Sequence, residues 1–111
     1  MKTINRQVAI IKPKKPYVDW INSLPGTDEP SSIESLNADC TAFLLPNFDD
    51  DEESIKHVIN IYQKIFEIEL GSWSSDENYW PKKRDYNIFD QWFAIEFHSE
   101  VFDFGEGKIK N

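Results

Sequence analysis

Trp92-Phe93-Ala94-Ile95-Glu96-Phe97-His98-Ser99-Glu100-Val101-Phe102-Asp103-Phe104 is the stretch that decides the fold. Successive side chains of an extended strand point to opposite faces. Phe93, Ile95, Phe97 and Val101 therefore share one face, and Trp92, Ala94, Glu96, His98, Glu100 and Phe102 share the other. One apolar face and one wetter face suit a sheet covered on one side; a doubly covered parallel sheet gives continuous apolar runs instead. The pattern predicts a strand over 92–104, or two short strands broken near His98-Ser99, ending at Gly105-Glu106-Gly107.

Upstream lies the most strongly patterned helix. Asp49, Asp50, Asp51, Glu52 and Glu53 open it, where acids suit the positive end of the helix dipole. Ile55, Val58, Ile59, Tyr62, Ile65, Phe66 and Leu70 form its apolar stripe, widened by Ile61 and Ile68, and Gly71 supplies the expected left-handed stop. Nearer the N-terminus, Arg6 to Ile11 reads as a strand ended by Pro13 and Pro16. Tyr17, Trp20, Ile21 and Leu24 then fall at helical spacing, with Pro16 at the first helical position and Pro25-Gly26 as the stop. Residues 25–37 read as a loop, with room for one helical turn at 32–36. Cys40 to Leu45 is a nearly continuous apolar run, expected to be a strand buried on both faces or nearly so. Residues 72–90 read as a long, aromatic-rich connection of a kind uncommon in compact domains unless it has a function or a structure of its own.

Together these elements predict an α+β fold in the order β-α-β-α-β. A three- or four-stranded sheet carries two helices packed on one face, within a single globular domain over 1–111 whose ordered core runs from about 4 to 105. The chain's 111 residues, 40% of them hydrophobic and 29% charged, suit one self-sufficient core rather than a disordered tail. No apolar run approaches the length of a bilayer span, and Val8 to Ile11 is too short for a signal-peptide core. Its single cysteine, Cys40, precludes an internal disulfide and reads as a small buried hydrophobe. A cytoplasmic location follows as the expectation.

Net charge is −8, which disfavours nucleic acid and anionic membrane as partners and suits a basic protein partner. Four glycines with no G-x-G-x-x-G spacing leave no phosphate loop, and neither Cys-x-x-Cys nor His-x-x-x-His occurs. Asp103-Phe104-Gly105 matches three letters of the kinase metal motif, but a chain this short cannot hold a kinase domain. No catalytic set, cofactor or metal is expected. Glu96-x-His98-x-Glu100 puts three possible ligands on one strand face about 6.6 Å apart per step, and reads more simply as a solvated face.

Five residues stand out as candidate binding positions. Glu69 falls inside the apolar stripe and in the last helical turn, where both burial and the dipole oppose its charge. Arg6 and Arg84, the two arginines, are the natural partners for it. Trp73 and Trp80 flank, with Tyr79 and Tyr86, the basic run Lys82-Lys83-Arg84, an arrangement fit for a small anion or an acidic peptide. His98 is the fifth. Two functions compete on this basis. One is a protein-binding or regulatory module, monomeric or weakly dimeric, of which a toxin-neutralising protein is a concrete form. The other is a small enzyme or ligand-binding protein with a pocket between helix 51–70, loop 72–90 and strand 92–104. In that case Glu69 acts as acid or base, assisted by His98 or Arg84.

Overall fold

The computed structural model describes residues 2–110. The elements are β1 (Lys2–Thr3), β2 (Arg6–Pro13), α1 (Lys15–Asn22), α2 (Ile33–Asn37), β3 (Thr41–Pro46), α3 (Asp51–Gly71), a 3-10 turn (Glu77–Tyr79), α4 (Tyr86–Trp92), β4 (Phe93–His98) and β5 (Phe102–Asp103). The class is α+β. The main sheet has the order β3-β2-β4, with β2 antiparallel to both neighbours, and β1 and β5 form a second, two-stranded antiparallel ladder. Within the main sheet the β-α-β-α-β order holds, each helical connection being a pair of helices.

One face of β2 is buried through Gln7, Ala9, Ile11 and Pro13, while Val8, Ile10 and Lys12 on the other face are half-buried. The helices lie against the first face. Tyr17, Trp20 and Ile21 of α1, Val58, Ile65, Phe66 and Leu70 of α3, and Phe89 of α4 join Ala9, Ile11, Leu45 and Phe93 of the sheet in one core. Phe66, fully buried, is the hub: its ring lies 5.7 Å from Phe89, 5.5 Å from Trp92 and 5.7 Å from Phe93, all edge-on. Edge-to-face rings at this spacing contribute beyond the area they bury.

Several boundaries differ from the sequence reading. The 72–90 connection has structure of its own: the 3-10 turn and most of α4. Asp85 caps α4 by accepting from Ile88 N at 2.9 Å. Seven residues are too few for a helical period to register, and for that reason Trp92 reads as strand although it closes α4. Of the two readings of the alternating stretch, the two-strand one holds: β4 stops at His98, where the break was expected, and β5 pairs in the other sheet. Pro16 is the second residue of α1, not the first.

Gly71 is helical, and Ser72 caps α3 with φ −66, so no left-handed residue is required. The run to Leu45 is not buried on both faces. It is an edge strand in which Leu45 is 3% exposed and Leu44 50%. Cys40 precedes that strand and is only half-buried, its Sγ 3.5 Å from Asn37 O. On α3, Ile55, Ile59 and Ile68 lie outside the buried stripe. Among the described residues, no helix is long and apolar enough to cross a membrane.

Candidate functional site

Glu69 is the one candidate whose surroundings violate ordinary solvation rules. The stripe that buries Phe66 and Leu70 also carries Glu69 inward, and the residue is 7% exposed. Its Oε1 is buried with no hydrogen-bond partner. Burial pushes its carboxyl above the ordinary glutamate value, with the Thr41 hydroxyl acting in the opposite direction. The expected arginine partner is not there. Arg6 sits at the outer end of β2 and donates to Asn5 O at 2.8 Å, and Arg84 donates to Pro81 O at 2.7 Å. Both guanidiniums are tied to their own local backbone, and among the described residues no cation pairs with the buried Glu69.

Glu69 lines a cleft of about 120 Å³ between the end of α3, the start of β3 and the start of α1. Ile11, Pro13 and Tyr17 form its buried floor, and Asp39, Ser72 and Trp73 lie at its exposed mouth. The Tyr17 hydroxyl donates to the backbone carbonyl of Glu69 at 2.6 Å. That carbonyl lies in the last turn of α3, where helical carbonyls lack partners, so Tyr17 caps the helix from another element. Burial first, and the Glu69 charge second, push the Tyr17 phenol upward.

Of the five candidate residues, the fold brings Glu69 and Trp73 together at one cleft and Trp80 and Arg84 together elsewhere, and it places His98 apart from both pairs. Trp80 Nε1 donates to Ser74 O at 2.9 Å, and the Arg84 guanidinium lies 5.6 Å above its ring, so this pair staples the 72–85 segment. Arg84 faces a different cleft, of about 310 Å³, lined by Gln63, Phe66, Glu67 and Lys82. His98 projects from the exposed face of β4. There its Nε2 lies 2.7 Å from Glu96 Oε2, and Lys12 reaches Glu96 at 3.7 Å. His98 first and Lys12 second lower the Glu96 carboxyl. Glu100 falls beyond the end of β4. Among the described residues, no group of three or more metal-ligating side chains converges.

Sequence reasoning missed Tyr17, Asp39 and Thr41 as neighbours of Glu69. Tyr17 read as one more apolar position of α1, and nothing local marks Thr41. It also missed the buried Gln7–Ser54 bond of 2.7 Å that ties β2 to α3. No family model, curated protein or solved structure was found to match the chain.

Proposed function

We propose that this chain is a protein-binding or regulatory module for a basic partner, acting in the reducing cytoplasm. A toxin-neutralising protein is one concrete form. The observation that carries the reading is the outer face of α3. Glu52, Ile55 and Ile59 follow one another at spacings of three and four, so they share one side of the helix. Ile55 is 43% exposed and Ile59 42%, and the exposed acids Asp49 to Glu53 stand at their N-terminal end. An exposed apolar pair beside a block of acids suits a partner surface with an apolar centre and a cationic rim. The net charge of −8 favours encounter with such a partner over nucleic acid or anionic membrane. The alternative reading, a small enzyme or ligand-binding protein, had Glu69 assisted by His98 or Arg84, and neither of these lines the Glu69 cleft.

The test is affinity purification of the tagged chain from its native cells, followed by binding measurements on the recovered partner. A stoichiometric basic protein, bound less tightly as salt rises and released by the double variant E52K/I59D, supports the reading. A chain that elutes alone, or a partner indifferent to both salt and the double variant, overturns it.

A further inference from the structure

We propose that the Glu69 cleft is a binding site for an alkylammonium group, either a small free amine or the side chain of a partner's lysine. The site is distinct from the outer face of α3: Glu52, Ile55 and Ile59 occupy the N-terminal half of that helix and Glu69 its last turn. It therefore stands or falls independently of the partner reading above.

Four observations select the ligand class. First, Glu69 Oε1 is buried with no partner, so the site lacks a hydrogen-bond donor that a ligand would supply. Second, the cleft holds two carboxylates, Glu69 and Asp39, and no basic side chain lines it, which excludes anions. Lys12, whose charge reaches the lining residue Cys40, is engaged with Glu96 at 3.7 Å. Third, the half-exposed Trp73 stands at the mouth of the cleft, and aromatic rings attract cations. Ile11, Pro13 and Leu36 add apolar wall suited to a methylene stem.

Fourth, the volume of about 120 Å³ is well below that of pockets for drug-sized ligands, which start at about 300 Å³. It holds a short chain bearing one polar head. An ammonium carries three N–H donors and no acceptor. Glu69 Oε1, which has no partner, is an acceptor for one of them, and the hydroxyl of Thr41, a residue that also lines the cleft, can accept another.

The experiment is an NMR titration of the isotopically labelled full chain with n-butylammonium chloride, and in parallel with n-butanol. The butanol matches the stem but lacks the charge. The expected result is saturable shifts confined to Thr41 and residues 69–73, with butanol at least about tenfold weaker. Glu69→Gln should weaken n-butylammonium by at least about tenfold as well. Trp73→Ala, at a half-exposed position, should weaken it severalfold and keeps the test decisive if the Glu69 variant does not fold. Equal binding of the alcohol and the ammonium, unchanged binding in either variant, or no saturable shift overturns the proposal. A blocked peptide with a single lysine separates the sources: tighter binding than n-butylammonium identifies a partner's lysine, and equal or weaker binding a free amine.

Discussion

Tyr17 and Glu69, 52 residues apart, meet through a 2.6 Å hydrogen bond from the phenol to the backbone carbonyl of the glutamate. The bond fixes the start of α1 against the end of α3 and shapes one wall of the cleft. Tyr17→Phe retains the ring and removes only the donor, leaving a buried helix-terminal carbonyl unpaired. The expected loss is about 1–3 kcal/mol in urea unfolding, at an unchanged slope. A variant as stable as the parent would show that water replaces the phenol.

Glu69 makes stability fall as pH rises. Its carboxyl titrates above the ordinary value of 4.5 in the folded chain, so between the unfolded and folded values the folded state holds the extra proton. The associated stability is fully present below the unfolded value and is lost as pH climbs through the folded one. Glu69→Gln removes this dependence. At pH 8 the variant should equal or exceed the parent, by on the order of 1 kcal/mol, and the advantage should vanish near pH 4. An arginine-paired glutamate would give the opposite sign, with the variant weaker at pH 8. Denaturant melts at the two pH values decide between them.

Phe66 and Ile59 lie on one helix and have opposite expected costs. Phe66 touches three other aromatic rings in the core, so Phe66→Ala should cost about 3–5 kcal/mol. Ile59 is 42% exposed, so Ile59→Ser should shift stability by less than about 0.5 kcal/mol. Comparable losses in thermal melts would mean that α3 packs with a different rotation.

The Glu96–His98 pair on β4 is solvent-exposed on both sides. Exposed pairs contribute little, and His98→Ala should leave the midpoint of urea unfolding essentially unmoved. A chelator should leave the melting temperature unmoved, because Glu96 and His98 have no converging third ligand among the described residues. A drop of several degrees with EDTA would reveal a metal on this face.

The sequence by itself determined the α+β class, the placement of α3 and the inward position of Glu69. These follow from local periodicity: a two-residue repeat in 93–98 and a 3.6-residue repeat in 51–71 record which side chains face the core, whatever that core contains. It did not decide between one strand over 92–104 and two strands broken near His98-Ser99, because the alternation continues through Ser99 to Val101 while the backbone changes sheets. Nor did it reveal α4, whose seven residues are set by the Asp85 cap and by Phe89 packing on Phe66.

Tertiary structure alone decided what surrounds Glu69. Tyr17, Thr41 and Trp73 come from three separate segments, and their convergence depends on how α1, β3 and the end of α3 pack. Pairing between distant charges leaves no periodic trace, so the arginines looked like available partners until the fold placed both of them elsewhere. A buried carboxylate can be read from a helical wheel. Whether it meets a cation, a phenol or an open cleft is settled by contacts between residues far apart in the chain.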